Sequence, residues 1–320
     1  MDIKQRIVNA LGIRLKGVFG KLDSGEFERI YEIRIRINRP IIIIRENKEL
    51  FLNEMGTYTQ DLRQAMIASP EDIQNTLEMM SQHSMYAFEE EMRQGYITLE
   101  GGHRVGIVGK IIFENGSVKS IRYVGAMNIR IAHEIVGAAD RIMPYIYSGA
   151  NTIYHTLLVS PPRCGKTTIL RDLIRQISSG FSTYKGMTVG VVDERSEIGG
   201  CYLGVPQNDI GLRTDVLDGC RKVDGMLMLL RSMSPAVIAI DEIGKKDDLF
   251  AIEEVLNAGV KIICTVHGNT LSDMMKKPIL KEMLEKQFFE RIICISSRKG
   301  PGTIETILDG ITFKDCRIVS

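Results

Sequence analysis

The chain has 320 residues, room for about two domains at ~150 residues each. It is 44% hydrophobic and 25% charged, and its 41 basic and 40 acidic residues leave a net charge of +1. That balance describes a globular protein and excludes both a strongly basic nucleic-acid binder and a polyacidic tail. No apolar run approaches the ~18–20 residues of a membrane span, and the first residues lack the apolar core of a signal peptide. The six cysteines form no C-x-x-C pair, so they read as reduced thiols of a reducing compartment.

The first half is patchy and reads as α+β. Residues 1–50 carry 11 basic and 7 acidic groups (net +4), residues 51–100 carry 2 and 9 (net −7), and residues 101–150 carry 6 and 3 (net +3). Such alternation fits either solvated faces or a charge-complementary contact between subunits. Residues 31–37 alternate Ile33, Ile35 and Ile37 with Arg34 and Arg36, a half-buried strand. A turn at Asn38-Arg39-Pro40 leads to a second strand over 41–45. Ser69, Pro70 and Asp72 carry the spacing of a capped helix start, and Ile73, Leu77 and Met80 then share one face. A second helix is expected from Ser84 to about Gly95. Residues 104–113 and 118–124, around Asn115-Gly116, form a hairpin, because that pair supplies positive φ.

From about residue 151, strands alternate with helices. Apolar runs at 155–160, 187–192, 236–240 and 260–266 are separated by helical stretches, including 168–177 and 248–258. This order implies a parallel sheet covered on both faces. The last 30 residues, with strands at 291–296, 303–308 and 311–319 around Gly300-Pro301-Gly302, read as an antiparallel extension.

The sharpest feature is Ser160-Pro161-Pro162-Arg163-Cys164-Gly165-Lys166-Thr167-Thr168, between an apolar strand and a helix. Backbone N–H groups and the helix dipole favour an anion in such a loop. Lys166 would reach the β- and γ-phosphates of a nucleotide, and the Thr167 hydroxyl would bind Mg²⁺. Ser160 stands where the P-loop pattern has its first glycine. Further on, the 236–240 strand ends in Asp241 and Glu242, placed to orient Mg²⁺ partly through water and to polarise a water for attack. The 187–192 strand ends in Asp193-Glu194-Arg195-Ser196-Glu197, and the 260–266 strand in His267-Gly268-Asn269-Thr270. In an open parallel sheet the carboxyl ends of the strands meet at the ligand crevice, so these groups converge. His267 is then placed to sense a γ-phosphate.

This set, in this order, resembles the type II/type IV secretion ATPases. Within them it resembles more closely the stage III sporulation protein AA family, on residues 161–172 (PPRCGKTTILRD), 191–199 (VVDERSEIG), 211–221 (GLRTDVLDGCR) and 225–244 (GMLMLLRSMSPAVIAIDEIG). Residues 102–108 (GHRVGIV) and 128–132 (NIRIA) look like that family's N-terminal half, and the resemblance covers about residues 80–320. It implies a RecA-like P-loop ATPase domain over 136–320, behind a smaller α+β domain over 1–135. It also implies an oligomeric motor, a homo-hexamer on the mother-cell side of the cytoplasm, serving membrane proteins of a secretion-like channel into the forespore. Lys166 and Thr167 match the Walker A positions, Asp241 and Glu242 the Walker B, and His267 the His box. The acidic-box spacing puts Glu197 at the position of the general base, with Glu194 or Glu242 as alternatives. Arg104, Arg122, Arg130 and Arg213 are candidates for charge stabilisation from the N-terminal domain or a neighbouring subunit. Two rival readings remain at this level: a nucleotide-gated scaffold with negligible hydrolysis, and a nucleic-acid-dependent motor, which the neutral charge disfavours.

Overall fold

The computed structural model describes residues 2–46, 48–81 and 88–317. They divide into two compact units, Met1–His133 and Glu134–Ser320.

The first unit opens with three short helices, α1 (Ile3–Asn9), α2 (Ile13–Phe19) and α3 (Ser24–Phe27). Strands β1 (Ile30–Arg36), β2 (Ile42–Arg45), β3 (Lys48–Leu52) and β4 (Tyr58–Thr59) follow, then helices α4 (Pro70–Met80) and α5 (Glu89–Arg93). Strands β5 (Tyr96–Leu99), β6 (His103–Glu114) and β7 (Ser117–Arg130) complete one antiparallel sheet in the order β4-β3-β2-β1-β7-β6-β5. Along β1, Ile33 and Ile35 point into the core while Arg34 pairs with Glu32 at 2.7 Å on the other face. The capping box of α4 forms: Ser69 Oγ accepts from the Asp72 N–H, and the Asp72 carboxylate accepts from the Ser69 N–H. Asn115 (φ 52°) and Gly116 (φ 76°) make the tight turn between β6 and β7. The helix expected to start at Ser84 begins outside the described residues.

The second unit starts with α6 (Met143–Ile146) and the small hairpin β8 (Tyr147–Gly149) and β9 (Thr152–Ile153). Strand β10 (Thr156–Ser160) leads into α7 (Lys166–Ser179), and a second small hairpin, β11 (Gly180–Phe181) and β12 (Tyr184–Lys185), leads to β13 (Val189–Asp193). Next come β14 (Thr214–Asp218), α8 (Lys222–Ser232), β15 (Val237–Ile240), α9 (Lys246–Asn257) and β16 (Lys261–His267). Helices α10 (Leu271–Met275) and α11 (Pro278–Glu285) and strands β17 (Arg291–Ser296) and β18 (Thr303–Asp309) complete it. The sheet order is β14-β13-β15-β16-β10-β17-β18, parallel except for β18. Successive side chains of a strand face opposite ways. Leu158, Val191, Ala239 and Ile263 therefore pack with Leu173 of α7, while Leu157, Val159, Ile238 and Ile262 pack with Met226, Ile252 and Met283 on the other side. Both faces are covered, as near-continuous apolar strands require.

Three sequence expectations change. Strand β17 pairs parallel to β10, so the antiparallel extension is β18 alone. The strand expected at 311–319 does not form among the described residues. There the Asp309 carboxylate accepts from the N–H of Ile311 and of Thr312 (3.1 and 2.8 Å), which turns the chain and leaves one isolated bridge between Leu308 and Asp315. Strand β14, which the apolar runs did not announce, lies at the sheet edge with Asp215 and Asp218 exposed. Among the described residues, no helix is long and apolar enough to cross a membrane. All six cysteines are free thiols.

Helix α8 reaches β13 closely because Gly225 has no side chain: a Cβ there would lie 2.5 Å from Val192 Cγ1. Gly225→Ala is expected to cost about 1–3 kcal/mol through overpacking, read as a lower denaturant midpoint. Adding Val192→Ala should recover part of the loss.

Candidate functional site

The strands β13, β15, β16 and β10 are parallel neighbours whose carboxyl ends point the same way: Val192 pairs with Ile240 and Ile240 with Cys264, and β16 and β10 run three residues further, to His267 opposite Ser160. Everything that follows these strands is delivered to one edge. After β10 the chain turns through Arg163 (φ 62°) and Gly165 (φ 84°) into α7. Gly165 is the residue just ahead of the helix, where a left-handed backbone suits glycine. The loop is propped from the side by Gly302, whose N–H donates to the Cys164 carbonyl at 2.8 Å. Ser160, in the position of the missing glycine, is buried and turns its hydroxyl onto the Pro161 carbonyl at 2.9 Å.

Lys166 is 6% exposed. Its ammonium lies 3.3 Å from Asp241 and 3.4 Å from Glu242. The Thr167 hydroxyl donates to Asp241 Oδ2 at 2.9 Å. Thr265 on β16 holds Asp241 and Glu242 in place: its hydroxyl donates to Asp241 and accepts the Glu242 N–H at 2.9 Å. Glu242 stands in a left-handed conformation (φ 57°). It gathers Lys166, His267 Nε2 (2.7 Å) and the Arg195 guanidinium (3.2 Å) around its carboxylate. Burial opposes its ionisation, yet Lys166, His267 and Arg195 together hold its pKa below the usual glutamate value. His267 Nδ1 is buried without a hydrogen-bond partner among the described residues, a donor or acceptor left for something else.

The acidic loop is built differently from its composition. Asp193 is buried and closes the loop, its carboxylate accepting the N–H groups of Glu197, Ile198 and Gly199 at 2.8–2.9 Å. Burial pushes its carboxyl up to about 6, against the pull of those three donors. From the other side Arg171 of α7 donates to the carbonyls of Ile198 and Glu197 at 2.8 and 2.6 Å. Glu194 is engaged by Lys222 at the start of α8, and this partner, with Lys245 and Arg195, lowers its pKa against the opposing effect of burial. Glu197 and Glu194 line one narrow cleft together with Arg195, Asp241 and Glu242.

The structure thus brings Lys166, Thr167, Asp241, Glu242, His267 and the acidic loop together. Motif reading missed the loop's supports: Arg171, one helical turn after Thr167, and Lys222, which sits outside any acidic or glycine-rich signal. Arg213 stands elsewhere. It precedes β14 at the amino ends of the strands, its carbonyl accepting the Val189 N–H, and its guanidinium donates to the Ser178 carbonyl at 2.9 Å. In the first unit, Arg104 and Arg130 are directly opposite each other on β6 and β7. Arg104 lies over the Tyr96 ring at 3.7 Å, and Arg122 is opposite Lys110 in the exposed part of the hairpin.

For Mg²⁺ the fit is with hard oxygen donors: the Thr167 hydroxyl and the Asp241 carboxylate, 2.9 Å apart. This ion keeps several waters and takes phosphate oxygens, so two protein ligands suffice. Among the described residues no group of three or more His, Cys, Asp and Glu side chains makes a closed metal cage.

Comparison with known proteins decides the family. The model of the family described as "Sporulation stage III, protein AA" matches residues 1–313. The chain belongs to that family. The match takes in the first 80 residues, which the motifs did not reach. Stage III sporulation protein AA of Bacillus subtilis (strain 168) is 43% identical over 314 residues, 98% of this chain and 96% of that one. Among solved structures, the Yersinia pseudotuberculosis ATPase DotB matches with a TM-score of 0.57 and 14% identity, covering 93% of this chain and 80% of its own. The pilus retraction motor PilT with bound ADP matches at 0.54 and 16% identity, covering 86% and 76%. At these identities the likeness shows the fold alone, the RecA-like P-loop fold that these structures share.

Asp193→Asn should cost about 1.5–3 kcal/mol, because a charge-assisted acceptor of three N–H groups is replaced by an amide. It should also speed hydrogen exchange at residues 197–199. Unchanged protection there would remove Asp193 from its anchoring role.

Proposed function

We propose that this family member is a Mg²⁺-dependent ATP hydrolase that works as an oligomeric motor in sporulation. The observation that carries the reading is the buried Lys166 ammonium, held 3.3–3.4 Å from two strand-end carboxylates at the mouth of a helix. A cation so placed is ready to exchange part of its carboxylate contact for β- and γ-phosphate oxygens. The N–H groups of residues 164–168 and the α7 dipole favour the same charge. Thr167 and Asp241 would hold Mg²⁺, and the ion would supply neutralisation of the charge that develops on the transferred phosphoryl group.

Among the three candidate bases, Glu242 is the best supported. It is the carboxylate within reach of both Lys166 and His267, whereas Glu194 is engaged by Lys222. Its low pKa keeps it ionised at neutral pH, able to accept a proton from the attacking water while His267 stays beside it to register the γ-phosphate. Glu197 lines the same cleft and would orient water from the acidic loop. Arg104 and Arg130 are proposed to act on a neighbouring subunit's nucleotide, which makes a ring the working form. The family and the proposed trans arginine support reading the working form as a homo-hexamer on the mother-cell side, coupled to the membrane proteins of a sporulation channel.

Lys166→Ala should abolish phosphate release and weaken nucleotide binding, and chelation of Mg²⁺ should stop turnover in the unaltered protein. Glu242→Gln should lower kcat by roughly 10²–10⁴, with a smaller loss for Glu194→Gln. A full loss in Glu197→Gln with little change in Glu242→Gln would move the base to the acidic loop. Tight ATP binding without any phosphate release in the unaltered protein would favour a nucleotide-gated scaffold.

A further inference from the structure

Strands β6 and β7 run on past the sheet that contains them. Strand β5 pairs with β6 from His103 to Gly106, and β1 pairs with β7 from Ala126 to Arg130. Beyond those limits, residues 108–124 form a two-stranded ribbon with no further strand on either side among the described residues. The ribbon leaves the sheet at a bend. The register shifts between Val108 and Lys110, where Tyr123 takes a left-handed backbone (φ 49°) and a Cβ on Gly109 would lie 2.6 Å from the Arg122 carbonyl oxygen. That backbone is costly for a large side chain, and the Tyr123 that adopts it is 81% exposed.

The surface of the ribbon is unlike that of a solvated hairpin. Val108 and Phe113 are each 66% exposed, and Ile111 is exposed beside them. Residues 108–124 hold three cations, Lys110, Lys119 and Arg122, against one acid, Glu114, which Lys119 engages at 2.6 Å. Lys110 and Arg122 are directly opposite each other, with no carboxylate within ion-pair distance among the described residues. Like charges facing across a strand pair repel, and large apolar side chains left in water forgo their burial energy. Both costs fall against a surface that is apolar within and anionic at its rim. An anionic bilayer is such a surface: aromatic rings settle at the headgroup level, and each Lys or Arg gains from the negative potential. A second copy of this chain fits less well. In the acidic stretch 51–100, Glu54 and Asp72 are engaged by Arg14, Asp61 by Arg63 and Glu100 by Arg6, while Glu91 accepts the Thr98 N–H.

We propose that residues 108–124 are a lipid-contacting ribbon, docking on an anionic bilayer through Val108, Ile111, Phe113 and Tyr123, with Lys110 and Arg122 against the headgroups. The contact needs no membrane-spanning helix and does not depend on the reading of residues 160–168.

The chain contains no tryptophan, so Phe113→Trp places a single indole on the ribbon. The full chain is sedimented at low salt with vesicles of phosphatidylglycerol and phosphatidylcholine in equal parts, and with vesicles of phosphatidylcholine alone. The emission of Phe113→Trp is followed with each. The protein should bind the anionic vesicles and not the neutral ones, and the indole emission should move to the blue with the anionic vesicles alone. Lys110→Gln combined with Arg122→Gln should weaken that binding about 30-fold, and Phe113→Ser about tenfold. These positions are exposed, so the variants should keep the melting temperature of the unaltered protein. Absence of binding to the anionic vesicles overturns the proposal. So does binding that both variants retain in full, which would put the lipid contact elsewhere, and so does equal binding to the neutral vesicles. A blue shift without vesicles that grows with protein concentration also overturns it, and makes a second copy the partner of the ribbon.

Discussion

The second unit is organised around one buried charge. Lys166 lies within the protein with Asp241 and Glu242 beside it, and an ammonium removed from water is tolerated only where such partners offset a desolvation cost of several kcal/mol. Much else in the unit keeps those partners in reach. The parallel sheet brings β10 and β15 to the same edge with β16 between them, and Thr265 on that intervening strand bonds to both carboxylate residues. The left-handed backbone at Glu242 turns its side chain back toward the loop instead of onward with the chain. A polyanion arriving at the loop would meet a cation already desolvated and aimed, which is the electrostatic preorganisation that phosphoryl transfer depends on.

A second layer holds the acidic loop. Its first carboxylate, Asp193, is spent on the N–H groups of residues 197–199, and Arg171 grips two carbonyls of the same segment. Because Arg171 projects from α7, one turn beyond Thr167, the phosphate loop and the acidic loop are fastened to the same helix. A shift of α7 would move both. This coupling links the phosphate loop to the acidic loop through one helix. The three acids of this loop have three different environments: Asp193 is buried and structural, Glu194 is engaged by Lys222, and Glu197 lines the cleft.

The fold was legible where side-chain period and chemistry agree. The alternation around Ile33 and Ile35, the capping box at Ser69 and Asp72 and the Asn115-Gly116 turn each rest on contacts a few residues apart, and they form at those places. The strand starting at Thr214 was not legible. Its polar residues suit a sheet edge and carry no apolar run, so nothing local distinguishes it from a loop. The tail after Asp309 failed for the opposite reason: an apolar pattern was present, and a carboxylate capping the turn overrode it. Arg213 shows the limit for single residues. As an arginine in a motif-bearing stretch it was a candidate for the nucleotide, yet β14 begins at the amino ends of the strands and leaves it on the Ser178 carbonyl.

By itself, then, the sequence determined the chemistry: a phosphate loop between a strand and a helix, carboxylates and a histidine at three later strand ends, and a neutral chain in two parts. These are properties of residue type and local order. Only the tertiary structure decided which carboxylate faces the lysine, that Asp193 is a support, and that Arg171 and Lys222 belong to the site. Each of those depends on strands and helices that lie far apart in the chain and meet because the sheet places β16 between β10 and β15, an order that no local pattern encodes.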